Sequence, residues 1–314
     1  WDAARKIADV PGPKTKNPVA LAQKLANPDD VTYNNPTAIA DRSGAVHFLF
    51  CLEYCRCFTM RSEDDGLTFT KPVEITVTFE EFRREYDWKV LAPGPGHGIQ
   101  LKNGRLVVPV WLSTGTGGHA HRPSAMSLIF SDDHGATWQR GDIVACDPTP
   151  LRNPSETVAV QLADGRVMLN IRSESPEHRR AVAYSQDGAT GWTTPAFHEQ
   201  LLEPICMASI IRARDGIVFA NPHNLERADG KAKHGVPRDR KNLSIKLSYD
   251  EGQTWPVNKT LEPGFSGYSD LAALPDGTIL CFYERGSTDG KSIYKTGLLT
   301  VARFDLAWLT GATE

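Results

Sequence analysis

Five polar side chains have types that can do chemistry and positions that recur in a repeat: Glu156, Arg172, Arg240, Tyr268 and Glu284. A tyrosine hydroxyl, with an ordinary pKa of about 10, is inert at neutral pH unless a base lies within hydrogen-bond reach. An arginine keeps its charge and presents planar donors that match a carboxylate. Taken one at a time, such residues usually pack at strand entrances or stay solvated at strand ends. Their joint placement is what favours a functional site.

A repeating hairpin pattern sets these positions. Five glycines each precede a strongly β-forming run, and Asn or Asp comes before four of them, which is the strongest short-range signal for a tight β turn. The glycines are Gly44, Gly104, Gly165, Gly216 and Gly277, and the runs cover residues 45–50, 105–112, 166–171, 217–220 and 278–283. Each period holds about four strands, the content of one propeller blade.

A second repeat runs in phase with the first. The phrase Ser-x-Asp-x-Gly-x-Thr-aromatic occupies residues 62–69, 131–138 and 248–255, and a scrambled copy occupies 185–192. Such a repeat predicts a fold in which each unit buries its apolar face against its neighbours. The sequence therefore predicts an all-β propeller in one domain, 1–314. Its blades are expected at about 33–80, 92–145, 153–200, 205–262 and 266–309, with 1–12 as the remnant of another.

Blade geometry restricts where functional residues lie. The start of strand 1, the end of strand 2 and the start of strand 3 share one face, and both repeated turns lie on the other. The strand-1 entrances are Asn35, His97, Glu156, Met207 and Tyr268; the strand-2 ends are Cys51, Trp111, Arg172, His223 and Glu284. Arg240 opens a third strand. We therefore expect the five polar residues to face one funnel.

Composition narrows the function classes. At 314 residues and 40% hydrophobic content the chain can bury a core, and a net charge of −3 gives no support for nucleic-acid binding. No apolar stretch is long enough to span a bilayer. Cys51, Cys55 and Cys57 lack the paired spacing of a zinc site, which favours buried thiols. No metal and no cofactor is predicted.

The Ser/Asp phrase is the Asp-box, or bacterial neuraminidase repeat, and nearly the whole chain resembles the sialidase family. The resemblance rests on GPGHGIQL at 94–101, SETVAVQLADGRVMLNIR at 155–172, RKNLSIKLSYDEGQTW at 240–255 and SGYSDL at 266–271. It implies a six-bladed propeller and an exo-α-sialidase that releases terminal sialic acid from glycoconjugates with retention of configuration. It also implies an extracellular or periplasmic location.

The resemblance implies a role for each candidate. Tyr268 is the nucleophile, because a neutral phenol is not repelled by the substrate carboxylate, and Glu156 is its base. Arg172 and Arg240 are two of three arginines that bind that carboxylate, and Glu284 orients the remaining arginine. The looser assignments are pocket-lining residues: His97, Trp111, Met207 and Asn35.

The sequence departs from the family pattern at its start. The family's Arg-Ile-Pro motif and the Asp acid/base that follows it are not found, and Trp1 is interpreted as the closing aromatic of an interrupted Asp-box. We therefore expect about five complete blades, an incomplete first blade, two exposed sheet faces and low turnover of natural glycosides.

Two alternatives remain open from the sequence. One is a sialic-acid-binding propeller that acts as a lectin. The other is an Asp-box glycosidase acting on a neutral glycan, a class that works with paired carboxylates and leaves the two arginines unexplained.

Overall fold

The computed structural model describes residues 3–10, 12, 14–233, 235–290 and 295–311. The chain forms two compact units, residues 1–148 and 149–314, and both are built almost wholly of antiparallel sheet. Trp1 lies outside the described residues, as do residues 291–294 of the last predicted blade. No helix in the described ranges is long and apolar enough to cross a bilayer.

The first unit contains two sheets. The strands of the first are β1 (Tyr33–Ala40), β2 (Val46–Leu52), β3 (Arg56–Ser62), β4 (Val73–Glu74) and, parallel to β1, β6 (Gly96–His97). The strands of the second are β5 (Val90–Pro93), β7 (Ile99–Gln100), β8 (Leu106–Ser113), β9 (Ser124–Ser131), β10 (Gln139–Arg140) and β11 (Ala145–Cys146). All of β8 and β9 is buried, and their apolar runs supply the core.

The second unit begins with a four-stranded sheet in simple up-and-down order: β12 (Thr157–Gln161), β13 (Val167–Ile171), β14 (Arg179–Ser185) and β15 (Ala196–Leu202). The next strands are β16 (Ser209–Ala213), β17 (Gly216–Pro222), β18 (Lys241–Ser248), β19 (Val257–Ala273), β20 (Ile279–Ser287) and β21 (Thr296–Phe304). The long β19 pairs first with β18 and then with β20, so one strand closes one blade-like sheet and opens the next.

Short helices precede the first strand, lie between strands or follow the last one. They are α1 (Pro18–Ala22), α2 (Thr76–Glu80), a 3₁₀ turn (Glu81–Arg84) and α3 (Leu306–Thr310). The Asp305 side chain caps α3 by accepting from the Trp308 N–H at 2.7 Å, and Gly311 ends the helix in the left-handed region.

Each Asp-box folds into the same hydrogen-bonded turn. In the first copy Ser62 Oγ donates to Asp64 Oδ1 at 2.8 Å, and Asp64 accepts from the N–H and hydroxyl of Thr68. The scrambled copy keeps this pattern one residue shorter, since Asp187 accepts from the N–H and hydroxyl of Thr190. The turn therefore tolerates the altered spacing.

Four of the five repeat glycines adopt left-handed backbone at their hairpins, with φ between +89° and +102°. Gly216 also lies at its predicted hairpin, where it is the first residue of β17 and pairs with Ala213 across a two-residue turn. A Cβ at Gly216 would lie 2.3 Å from the Ser248 carbonyl oxygen, so this glycine is required by close strand packing.

The last sheet exposes apolar side chains on one face: Phe282 of β20 and Leu299 and Val301 of β21 are 44%, 59% and 45% exposed. The two exposed sheet faces expected from the sequence stay a prediction. Cys51 and Cys57 are buried opposite each other on β2 and β3, and the described cysteines are free thiols.

Candidate active site

The second unit gathers Glu156, Arg172, Arg240, Tyr268 and Glu284. Glu156 immediately precedes β12 and Arg172 immediately follows β13; Thr157 and Ile171 pair across these strands. The hairpin therefore places Glu156 beside Arg172, whose N–H donates to the Glu156 carbonyl at 3.3 Å.

Tyr268 reaches this pair from a distant part of the chain. It lies where the pairing of β19 with β20 shifts register, between Ser266 and Ser269. Such irregularities redirect side chains locally. The Tyr268 hydroxyl donates to Glu156 Oε1, and Arg172 Nη1 donates to Glu156 Oε2 and, at 3.1 Å, to the tyrosine oxygen. The Glu156 carboxylate, the Tyr268 hydroxyl and the Arg172 guanidinium thus form one cluster of direct contacts.

Electrostatics fix the resting protonation of this cluster. Burial acts to raise the pKa of Glu156, but Arg172, the Tyr268 hydroxyl and Arg240 together hold that pKa below its ordinary value. Burial and the charge of Glu156 raise the pKa of Tyr268, against the opposing effect of the two arginines. The resting site therefore holds a carboxylate next to a neutral phenol.

Arg240 contacts the same tyrosine from another side. Its guanidinium carbon lies 5.2 Å from the centre of the Tyr268 ring, in cation–π geometry. Its Nη2 donates to the Ile205 carbonyl at 3.0 Å. Arg172 and Arg240 therefore both lie against Tyr268, one at its oxygen and one at its ring.

Glu284 supports the tyrosine backbone. The sequence predicted that it orients an arginine; in the described part of the chain its Oε2 instead accepts from the Tyr268 N–H at 2.8 Å. A Cβ at Gly267 would lie 2.0 Å from that oxygen, so only glycine leaves room for it. Glu284 thus holds the Tyr268 segment in this structure, and its arginine-orienting role stays a prediction.

Two of the four predicted pocket-lining residues are nearly inaccessible. Met207 of the second unit is 3% exposed. Trp111 of the first unit is 2% exposed, and the centre of its ring lies 4.7 Å from the centre of the His121 ring. His97 on β6 and Asn35 on β1 are half-buried. Burial leaves Met207 and Trp111 little surface for a ligand, and the pocket-lining roles of all four stay predictions.

Sequence reasoning missed two buried charged residues behind the site, Arg180 on β14 and Glu203 just after β15. They form an ion pair with Arg180 Nη1 2.6 Å from Glu203 Oε2, and their side chains are 0% and 1% exposed. The available signal was an arginine inside an otherwise apolar strand, which requires a buried partner.

Comparison with known proteins agrees with the fold and the repeats. The BNR repeat-like domain family matches residues 1–281. The sialidase of Micromonospora viridifaciens is 34% identical over 254 residues, which cover 80% of this chain and 35% of that protein. Sialidase-3 of Homo sapiens is 28% identical over 280 residues, with coverage of 74% and 62%.

A solved structure, the Hadza microbial sialidase Hz136, superposes with a TM-score of 0.70 at 25% identity and covers 92% of this chain and 56% of that one. The chain thus spans only part of each of these relatives. The predicted all-β fold, a propeller of the sialidase type, is confirmed. The matching repeats, relatives and structure show that the chain belongs to the BNR repeat-like family of sialidases.

Proposed function

We propose that this chain carries the catalytic core of a retaining exo-α-sialidase that acts on terminal sialic acid of glycoconjugates. The observation that supports this most is the hydrogen bond from the Tyr268 hydroxyl to the buried, ionised Glu156 carboxylate. The named sialidases among the relatives are consistent with it.

The substrate's chemistry explains the choice of nucleophile. The reacting carbon of a sialoside carries a carboxylate, so an anionic carboxylate nucleophile would be repelled on approach. Tyr268 is neutral at rest and acquires charge only as its proton passes to Glu156. Arg172 then lies 3.1 Å from the oxygen on which negative charge develops, where its cation stabilises that charge.

The reaction proceeds in two displacements. The Tyr268 oxygen attacks the anomeric carbon, the bond from that carbon to the leaving oxygen breaks, Glu156 takes the phenolic proton, and the leaving oxygen takes a proton from solvent. Water then attacks the same carbon and releases a proton to solvent, the tyrosine oxygen leaves, and Glu156 returns the phenolic proton to it. Two inversions give net retention. Arg172 and Arg240 hold the substrate carboxylate through both steps.

The first displacement is tested with 2,3-difluorosialic acid, which forms a covalent intermediate with the sialidase of Trypanosoma rangeli. Fluoride leaves without a proton donor, so the limiting rate of labelling reports on Tyr268 and Glu156 and needs no separate acid. We expect intact-mass analysis to show one added glycosyl group and peptide mapping to place it on Tyr268. The Tyr268→Phe variant should stay unlabelled.

The same experiment separates the alternatives. Binding of sialic acid by a protein that never forms the adduct would support a lectin. A chain that neither binds sialic acid nor takes the label would refute a sialidase, and hydrolysis of a neutral glycan by that chain would support the third class.

A further inference from the structure

The buried pair of Arg180 and Glu203 connects to both substrate-binding arginines. Arg180 holds the end of β13 through two hydrogen bonds. Its Nε donates to Asn170 Oδ1 at 2.6 Å, and its Nη2 donates to the Asn170 carbonyl at 2.8 Å. Asn170 lies two residues before Arg172. The guanidinium therefore fixes the strand end from which Arg172 enters the site.

On the other side Glu203 fastens the segment that holds Arg240. Its Oε1 accepts from the N–H groups of Ile205 and Cys206, at 2.8 and 2.9 Å. The Ile205 carbonyl in turn accepts from Arg240 Nη2 at 3.0 Å. Arg180 also donates to the Cys206 carbonyl at 3.1 Å, so both members of the pair grip this segment.

The backbone of this segment is strained. Ile205 has φ of +67°, a region that a β-branched residue occupies only at a cost in free energy. Two adjacent N–H groups directed at one carboxylate oxygen offset that cost. Without the negative charge of Glu203, Ile205 would relax towards ordinary backbone, and its carbonyl would turn away from Arg240.

A buried ion pair is a weak source of net stability, because desolvation of both charges cancels most of their attraction. Its hydrogen bonds here run to the two segments that carry substrate-binding arginines. We propose that Arg180 and Glu203 are positioning residues that set the separation of Arg172 and Arg240 for a carboxylate-bearing ligand, an inference that rests on the proposed sialidase function.

The test compares labelling by 2,3-difluorosialic acid in the wild type and in Glu203→Gln. Glutamine keeps an acceptor for the two N–H groups but presents donors to Arg180. We expect the half-saturating concentration to rise roughly 10- to 100-fold, as for a lost charged hydrogen bond. The limiting rate should change less than about threefold, because Tyr268 and Glu156 are untouched. Simple loss of folded protein would lower the labelled fraction and leave half-saturation unchanged.

A double-mutant cycle locates the effect. If Glu203 acts through Arg240, Glu203→Gln should add little to the loss already caused by Arg240→Lys. The control is Lys246→Met, which removes a buried charge from β18 whose described hydrogen bond goes to Asn221; its half-saturation should match the wild type. If Glu203→Gln does not fold, Glu203→Asp keeps the charge and should give an intermediate value.

A measurement on the free protein keeps the positioning role distinct from the sialidase proposal. Side-chain NMR of Arg240, assigned with Arg240→Lys, should show slow guanidinium rotation in the wild type and faster rotation in Glu203→Gln. A wild type that takes no label refutes the sialidase function, and this comparison then decides the positioning role by itself. Wild-type half-saturation in folded Glu203→Gln, full additivity with Arg240→Lys, or an unchanged Arg240 signal would overturn it.

Discussion

Replacing Glu156 by glutamine should change both the rate of glycosyl transfer to Tyr268 and its pH dependence. The pKa of Tyr268 lies above its ordinary value of about 10, so fewer than about one molecule in 1,000 carries a tyrosinate at pH 7. Without a base, only the molecules that already carry a tyrosinate can react. Loss of general-base catalysis predicts a fall of roughly 10²- to 10⁴-fold at neutral pH.

The pH profile gives a sharper signature than the rate itself. In the wild type the pKa of Glu156 lies below its ordinary value of about 4.3, so the base stays ionised and the rate should be level from about pH 5 to about pH 8. In Glu156→Gln the charge that raises the Tyr268 pKa is gone and the arginines remain. The tyrosinate fraction, and with it the rate, should then climb about tenfold per pH unit.

Labelling by 2,3-difluorosialic acid, followed by intact mass across this pH range, measures both quantities. The matched control is Glu251→Gln, which alters a surface partner of Arg212 and should leave the profile level. A level profile for Glu156→Gln at a near-wild-type rate would show that Glu156 is not the base. Thermal unfolding of each variant checks that the labelled protein is folded.

Three further outcomes are expected. Arg240→Lys loses the planar donor pair, so half-saturation by the carboxylate ligand should rise roughly 10- to 100-fold with the labelling site unchanged. The Asp187→Asn variant should lose about 1 kcal/mol of unfolding free energy, measured with urea near pH 7. The folded pKa of Asp187 is about 2, below an unfolded value near 4. The difference between wild type and variant should therefore be fully present above about pH 4 and vanish as pH falls through 2. The Gly135→Ala variant should have a lower melting temperature than Gly44→Ala. Both glycines have positive φ, but only a Cβ at Gly135 would lie 2.6 Å from the His47 ring. Equal losses in the two variants would show that backbone strain alone matters.

The strand pattern and the hairpin neighbours in the site followed from local rules. Glycine turns and in-phase Asp-boxes fix where strands begin and end, and strand polarity then places Glu156 and Arg172 side by side across one hairpin. The proximity of Tyr268 to this pair was also predicted from the sequence, because repeat-equivalent positions share one face. The hairpin at Gly216 formed as predicted, but the sequence did not reveal that close packing against Ser248 also requires a glycine there.

What sequence reasoning could not reach depends on contacts between distant segments. The partner of Glu284 is set by a register shift in β19 that no residue pattern marks. The burial of Trp111 depends on the His121 ring, which a separate loop supplies. The Arg180–Glu203 pair is likewise visible only once β13, β14 and the 203–206 segment are brought together.

These contacts divide the site into two parts with different structural origins. The Glu156–Arg172 pair needs only its own hairpin, whereas Tyr268 and Arg240 arrive on later strands and are held by Glu284 and by the Glu203 segment. Chemistry at Tyr268 requires a base within hydrogen-bond reach, and a phenol with a raised pKa gains nothing from a carboxylate that is slightly too far away. On the proposed mechanism the two supporting acids have separate tasks: the half-buried Glu284 sets the distance from Tyr268 to Glu156, and the buried Glu203 sets the distance between the arginines. Conservative changes to them should therefore separate transfer from binding, with Glu284 affecting the limiting rate and Glu203 the half-saturating concentration.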